Sequence, residues 1–170
     1  NVDKDSSRSR ILRFSQKKIR GQLPLLLKDG EVFADGLRNE VGLAFDSQER
    51  LWGVENGLDN LFRQDLGGDI HNDNPAEELN LIAEKGKFYG YPFCWSEFLL
   101  PSPHGKGPGT QWVHPMFSPR VTDQWCRDPK NVVPPELSLP AHTAPLDLVF
   151  YDKEHFPTSW KGDALVSLHG

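Results

Sequence analysis

Two stretches of the sequence repeat one pattern, and this repeat limits what the chain can fold into. Residues 42–57 (GLAFDSQERLWGVENG) and 146–170 (LDLVFYDKEHFPTSWKGDALVSLHG) each run from an apolar stretch through an aspartate and a polar turn to a second apolar stretch. This pattern is typical of a β-hairpin. Hairpins that recur at wide spacing predict an all-β fold of repeated sheets, a β-propeller, with a β-sandwich as the alternative.

The rest of the chain agrees with an all-β, loop-rich fold. Strands are predicted at residues 10–14, 31–34, 41–45, 51–55, 78–83, 146–151 and 164–168, with a polar loop at 57–75 and a turn at 89–92. Fourteen prolines and fifteen glycines, and the lack of any long stretch with helical periodicity, argue against a helical chain.

A long segment rich in Pro and Gly, residues 98–140, is predicted to be irregular. A loop of this length is uncommon in a compact domain unless it is functional or tied down. Cys94 and Cys126 each adjoin a tryptophan in this polar region, which favours a disulfide between them over two reduced, unrelated thiols. A disulfide would place the protein in an oxidising compartment, extracellular or periplasmic.

Length and charge restrict the class of protein. A chain of 170 residues can bury one core, so one domain is expected. Its net charge of −5 and the absence of a basic stripe argue against nucleic-acid binding, and we interpret the basic stretch at 8–20 as the edge of a strand. The longest apolar run, near residues 23–27, is too short for a membrane span.

We expect the sequence to be a fragment. It begins without an initiator methionine and stops on Ser-Leu-His-Gly without a closing element. A propeller blade cannot bury its faces without neighbours on both sides. Residues 1–170 are therefore predicted to be about two to three blades of a larger ring, truncated at both ends.

Five motifs occur together in one order: GLRNEVGLAFD (36–46), ENGLDN (55–60), NPAEELNLI (74–82), YGYP (89–92) and AHTAPLDLVFYD (141–152). In this order they resemble the glucose/sorbosone dehydrogenase family, six-bladed propellers that oxidise sugars with pyrroloquinoline quinone (PQQ) and calcium. The loop between Cys94 and His142 is similar to that of the sorbosone and pyranose dehydrogenase branch. The resemblance covers residues from about 10 to the end.

The resemblance implies a set of cofactor-binding residues. Arg38 and Asn39 match an Arg-Asn pair that contacts the quinone oxygen and carboxylates of PQQ, a role that suits the planar, always charged guanidinium. Asn56 matches a polar residue near the cofactor. His142 stands where a pocket residue, often Thr, is found, and His169 where some members have a cofactor-binding Lys. From residue types alone, Arg38 and Asn39 would be a salt bridge and a turn cap.

The resemblance also implies metal and substrate residues. Gly57 and Leu58 match two residues whose backbone carbonyls hold the catalytic calcium, a cation that accepts main-chain oxygen ligands. Glu78 and the backbone oxygen of Tyr89 match a pair that binds a second, structural calcium. Glu77 matches an acidic residue on the substrate side of the pocket. The alternative for the two glutamates is a solvated pair.

The expected reaction is hydride transfer from a sugar to the quinone. It needs a base for the hydroxyl proton, and the family's base is a His upstream of the Arg-Asn pair. No His precedes Gly36 here, so the base is expected upstream of the fragment. The assignment requires Arg38 and the Gly57 carbonyl to converge on one pocket.

Two other functions fit the same residues. The first is a non-catalytic, calcium-binding propeller that acts in cell-surface or carbohydrate recognition. The second is a calcium-dependent lactonase-type propeller. The partners expected of the dehydrogenase are a sugar and an electron acceptor.

Overall fold

The computed structural model describes residues 8–21 and 24–170, and most of its regular structure is β-strand. The strands are β1 (Arg10–Arg13), β2 (Glu31–Asp35), β3 (Glu40–Phe45), β4 (Leu51–Glu55), β5 (Phe62–Arg63), β6 (Gly68–Asp69), β7 (Glu77–Ile82), β8 (Lys87–Phe88), β9 (Cys94–Ser96), β10 (Gln111–Val113), β11 (Leu137–Leu139), β12 (Pro145–Phe150) and β13 (Ala164–Leu168). In this part of the chain the fold is mostly β-sheet with few helices, which agrees with the prediction of a β-rich chain.

Helical structure is limited to short pieces. The α-helices are α1 (Gln16–Gly21) and α2 (Asp123–Arg127), and single 3-10 turns occur at Leu27–Asp29, Gln64–Leu66, Pro115–Phe117 and Thr158–Trp160. Within the residues that the structure describes, no helix has the length and apolar character needed to cross a membrane.

The largest sheet has four antiparallel strands in the order β11-β7-β4-β3. Its β3–β4 hairpin pairs Leu43 with Gly53 and Phe45 with Leu51. The carboxylate of Asp46 closes the turn by accepting hydrogen bonds from the backbone N–H groups of Gln48 and Arg50, both at 2.9 Å. A short polar turn with an aspartate at its first position favours this geometry, since the side chain replaces missing backbone partners.

The repeated hairpin forms a second sheet of two strands, β12 and β13, which packs on the first. The contact runs along β3, and Gly42 makes it possible, because a Cβ atom at this position would lie 2.7 Å from the Cα of Asp147. A third unit, the β1–β2 hairpin, precedes the four-stranded sheet in the chain.

The segment between β7 and β11 leaves the four-stranded sheet and connects it to the preceding unit. Its strand β8 pairs in parallel with β2, with Ala34 opposite Lys87. The pairing continues beyond β8, where the N–H groups of Tyr89 and Tyr91 donate to the carbonyls of Asp35 and Gly36, each at 2.8 Å. The segment therefore ties two successive sheets together.

The segment has a core of its own. Cys94 and Cys126 form a disulfide with their Cα atoms 5.8 Å apart, as the sequence predicted. Aromatic rings surround this bond, among them Phe93, which packs edge-to-face against Phe117 with centroids 4.9 Å apart. A second cluster contains the stacked rings of Trp95 and Trp112. The irregular backbone is held by these packed groups and by the disulfide.

The predicted strands in the two hairpins, and those at 10–14, 31–34 and 78–83, are confirmed with shifts of at most one residue at their ends. The polar loop at 57–75 contains the short pair β5 and β6, and the irregular segment 98–140 contains β10, α2 and β11. Strands of two or three residues are too short to show an alternating pattern, so the sequence gives no sign of them.

Replacing Gly42 with Ala should separate β3 from β12. The added methyl group overlaps backbone rather than a flexible side chain, so we expect a loss of about 1–3 kcal/mol in the free energy of unfolding. Gly21→Ala is the control, because an added Cβ there meets no atom of the described residues within 4 Å. Denaturant unfolding of the full-length protein measures both, and equal stability of the two variants would contradict this packing.

Candidate active site

Arg38 and Gly57 meet at one end of the β3–β4 hairpin. Because these strands are antiparallel, the residues before β3 and after β4 lie side by side, and the N–H of Asn56 donates to the carbonyl of Asn39 at 3.1 Å. The Nη1 of Arg38 donates to the carbonyl of Asn56 at 3.2 Å and, in a shorter hydrogen bond, to the carbonyl of Gly57. The convergence required by the sequence assignment is present.

The carbonyls at this point face a positive charge. Arg38 is half-buried, and its Nη2 lies 3.3 Å from the carboxylate of Asp59, which is exposed. A salt bridge, the simplest role for an arginine here, therefore exists together with the contacts to the Gly57 loop. The side chain of Asn39 is exposed, while Leu58 lines the cleft beside Arg38.

Glu77 connects this loop to a third one. Its Oε2 accepts a hydrogen bond from the N–H of Gly57 at 2.5 Å, and its Oε1 accepts one from the N–H of His142 at 3.1 Å. Burial raises the pKa of the Glu77 carboxyl, and the two N–H groups partly offset this effect. The residue is 6% exposed, which rules out a solvated pair, and its contact with substrate stays a prediction.

Three further glutamates, Glu40, Glu55 and Glu78, form a cluster at the same end of the four-stranded sheet, where Glu55 is buried and Glu40 and Glu78 are half-buried. Glu40 and Glu55 are opposite each other on β3 and β4, and Glu55 is also paired with Glu78 on β7. Glu78 accepts hydrogen bonds from the hydroxyl of Ser96 and, at 3.3 Å, from the Nδ2 of Asn80. The carboxyl of Glu40 occupies the space that Gly53 leaves open.

Burial and the repulsion between like charges raise the pKa values of these three carboxyls. Burial, with the charge of Glu78 added to it, raises the pKa of Glu40 to about 7. Burial also raises the pKa of Glu78 to about 7, and it moves the pKa of Glu55 well above its usual range, helped by the charges of Glu78 and Glu40. Like charges placed this close cannot all ionise without a cation between them.

The cluster has unsatisfied oxygens. Glu40 Oε1 and Glu55 Oε2 are buried, and no donor in the described chain reaches either atom. A shared proton or a bound cation would satisfy them. Glu55 and Glu78 line the same cleft as Gly57, Leu58 and Tyr89.

Side chains alone do not complete a metal shell. Across residues 8–21 and 24–170, no group of three or more His, Cys, Asp and Glu side chains has an arrangement that could hold a metal ion. A cation in this cleft would need backbone carbonyls as well, which calcium accepts readily. The residues present therefore fit calcium, and not zinc, which favours nitrogen and sulfur ligands.

The predicted histidines lie on one side of the site. The Nε2 of His142 is 2.7 Å from the carbonyl of His71 and must donate to it, which leaves Nδ1 free to accept when the ring is neutral. His142 is exposed and has a φ of +63°. The N–H of His169 donates to the carbonyls of Thr143 and Ala144, so the end of β13 lies against the same loop.

Two residues of the site, Glu55 and Glu40, were not predicted from the sequence. Glu55 accepts a hydrogen bond from the N–H of Arg38 at 2.6 Å, and Glu40 faces it across the hairpin. The available signal was a pair of glutamates at the ends of two otherwise apolar strands. The Nδ2 of Asn56 donates to the carbonyl of Pro145 at 2.8 Å, and the contact of Asn56 with a cofactor stays a prediction.

Comparison with known proteins gives the family. The family model described as TrAA12-like matches residues 1–170. The chain belongs to the TrAA12-like family. Together with the relatives described next, this match confirms the sequence-based resemblance to PQQ-dependent sugar dehydrogenases, in the sorbosone and pyranose branch.

Relatives of this TrAA12-like chain are named as PQQ enzymes. It is 36% identical over 157 residues to the pyrroloquinoline quinone-dependent pyranose dehydrogenase of Coprinopsis cinerea. This alignment covers 86% of the chain and 21% of that protein. It is 37% identical over 131 residues to the pyrroloquinoline quinone-dependent sugar dehydrogenase of Hypocrea jecorina. This second alignment covers 71% of the chain and 30% of that protein.

A solved structure supports the same family. The calcium structure of the Trichoderma reesei carbohydrate-active enzyme of family AA12 matches with a TM-score of 0.76 and 32% identity, over 86% of this chain and 38% of the other. The TrAA12-like chain thus spans about a fifth to two fifths of the proteins that it matches.

The buried glutamates make stability depend on pH. The pKa of Glu40 is raised from 4.5 to about 7, so its contribution to stability is complete below pH 4.5 and is lost as the pH rises through about 7. In the presence of a calcium chelator at pH 8, we expect the free energy of unfolding of Glu40→Gln to exceed that of the wild type by about 1–3 kcal/mol. The difference should be smaller near pH 5.

Thermal unfolding of the full-length protein at several pH values measures this difference. Glu136→Gln, which alters an exposed carboxyl on the surface, is the control. A stability difference between Glu40→Gln and the wild type that is constant from pH 5 to pH 8 would contradict the raised pKa.

Proposed function

We propose that this chain is part of a sugar dehydrogenase that depends on PQQ and calcium. The observation that carries the proposal is the meeting of the Arg38 guanidinium with the Gly57 carbonyl in one cleft. Two relatives that bear the name of this activity support it. When bound, PQQ would supply a quinone that takes up hydride from the sugar, and calcium would polarise a carbonyl group of that quinone.

Arg38 is the centre of the proposed cofactor site. PQQ carries three carboxylates, and the guanidinium offers them a charged fork while it stabilises negative charge that develops on the quinone oxygen. Asn39 and Asn56 border this position, and His142 and His169 would contact the cofactor from the β12 side. The Nε2 of His142 already donates to a carbonyl, so its ring is held in one orientation.

Calcium is proposed at two positions. The carbonyls of Gly57 and Leu58 would hold the catalytic ion, with Arg38 sharing the Gly57 oxygen. Glu78 and the backbone oxygen of Tyr89 would hold the second ion, and the unpartnered Oε2 of Glu55 supports a cation nearby. Both positions are consistent with an oxygen-only ligand set.

The proton acceptor is proposed to lie outside this chain. Abstraction of a sugar hydroxyl proton calls for a base next to the cofactor, and no histidine precedes Gly36. We expect the base His in the preceding part of the full-length protein. The residues present would then bind and orient, while the upstream residue moves the proton.

We further propose that the chain is part of a six-bladed β-propeller. The β3, β4, β7 and β11 strands would form one complete blade, β1 and β2 the outer strands of the blade before it, and β12 and β13 the inner strands of the next. Chain order and the packing of β12 on β3 support this arrangement. Residues 1–170 would then be a partial domain, truncated at both ends.

The disulfide supports an extracellular or periplasmic location, because such bonds persist in oxidising compartments. The proposed partners are a sugar and an electron acceptor that reoxidises the cofactor. The alternative, a calcium-binding propeller without catalysis, predicts cation binding but no sugar oxidation.

Arg38 variants test the proposal in the full-length protein supplied with PQQ and calcium. We expect Arg38→Met to lower kcat/KM for sugar oxidation by about 10²–10³-fold, because it removes both charge and fork. Arg38→Lys keeps the charge but loses the paired N–H donors, so its kcat/KM should lie between those of the wild type and Arg38→Met. Dye-linked oxidation of a panel of aldoses measures the rates, and Arg120→Met, at an exposed position, is the control.

Two results would refute the assignment. The first is a wild-type protein that binds no PQQ and oxidises no aldose, which would leave the non-catalytic propeller. The second is an Arg38→Met variant with the rates of the wild type.

A further inference from the structure

We propose that Glu77 is a positioning residue that aims the Arg38 guanidinium by fixing the peptide between Asn56 and Gly57. This inference rests on the proposed function, in which Arg38 contacts the cofactor. It gives Glu77 a role that requires no contact with the sugar.

The first step is the orientation of one peptide group. The bond between Asn56 and Gly57 is not among the cis peptides of the described chain. In a trans peptide the N–H and C=O groups point in opposite directions. Glu77 Oε2 accepts the Gly57 N–H at 2.5 Å, so the Asn56 carbonyl is directed away from Glu77, and there it accepts the Arg38 Nη1 at 3.2 Å.

The peptide therefore lies between a carboxylate and a guanidinium. Hydrogen bonds at both ends of one peptide polarise it in the same sense, and each strengthens the other. The spacing between the two side chains is therefore set by this one peptide group.

The second step is the connection to another loop. Glu77 Oε1 accepts the N–H of His142, so one carboxylate holds backbone amides 20 and 65 residues away in the sequence. The hydrogen bond from Asn56 Nδ2 to the carbonyl of Pro145 ties the same two loops a second time. The loop after β4 is thus fixed relative to β12.

Close packing makes the arrangement rigid. A Cβ atom on Gly57 would lie 2.8 Å from the carbonyl oxygen of Ala76, so the loop rests directly on the backbone that leads into β7. Both oxygens of Glu77 are used by amides, and the residue is 6% exposed. A buried carboxylate with two amide donors is suited to hold backbone in place.

Glu77→Gln is the decisive variant. A glutamine amide has one acceptor oxygen, and its NH2 group must face one of the two N–H donors, so one hydrogen bond is lost along with the charge. Glu97→Gln is the matched control. Glu97 is 2% exposed and accepts hydrogen bonds from the N–H groups of Lys106 and Gly107 in a different loop.

Amide hydrogen exchange on the full-length protein without cofactor is the first measurement. We expect Glu77→Gln to accelerate exchange about tenfold or more in peptides that contain residues 57 and 142, but not in those that contain 106 and 107. Glu97→Gln should show the opposite distribution. Unchanged exchange at 57 and 142 in Glu77→Gln would overturn the positioning role.

Binding of PQQ in the presence of calcium, followed by quenching of tryptophan fluorescence, is the second measurement. We expect Glu77→Gln to weaken PQQ binding by about 10–100-fold and Glu97→Gln to leave it unchanged. Equal PQQ affinities for wild type and Glu77→Gln would overturn the link to Arg38. A wild type that binds no PQQ refutes the proposed function, while the exchange data still decide whether Glu77 holds the loops.

If Glu77→Gln does not fold, Glu77→Asp decides on the same measurements. Aspartate keeps the charge but is one methylene shorter, so it can reach only one of the two amides. Faster exchange at 57 or 142 in this variant supports the role, and wild-type exchange at both positions overturns it.

Discussion

Buried carboxylates that accept backbone N–H groups hold the loops of this structure in place. Glu55 accepts the amide of Arg38, Glu77 those of Gly57 and His142, and Glu97 those of two residues in the segment after β9. A buried carboxyl group without hydrogen-bond partners costs free energy whether or not it is charged, so each loop is fixed where it supplies the missing donors. Irregular backbone becomes rigid in this way without belonging to a sheet.

The same constraint connects the fold to its chemistry. Antiparallel pairing brings the start of β3 and the end of β4 to one edge of the sheet, and the glutamates at these ends are drawn inward. The Arg38 guanidinium and the two carbonyls that accept from it lie at this same edge. The glutamate cluster and the contact between Arg38 and the Gly57 loop are therefore two results of one strand register.

Part of this arrangement could be predicted from sequence, since strands of five or six residues show their alternation and hairpin turns carry an aspartate signal. The disulfide between Cys94 and Cys126 was predictable because each cysteine adjoins a tryptophan in a polar segment. The short strands β5, β6 and β8 to β11 were not, because pairs of two or three residues have no pattern. Parallel pairing of β8 with β2 depends on a partner more than 50 residues away.

The candidate site, too, could be predicted from the sequence only in part. Arg38 precedes β3 and Gly57 follows β4, so both lie at the open end of one antiparallel hairpin, and the sequence alone determined that they would meet. The sequence also determined the family, through motifs in a fixed order. Only the tertiary structure decided that Glu77 faces two backbone amides and that Glu40, Glu55 and Glu78 share a buried space. Burial of a carboxyl depends on which strands come together, and local sequence does not contain that information.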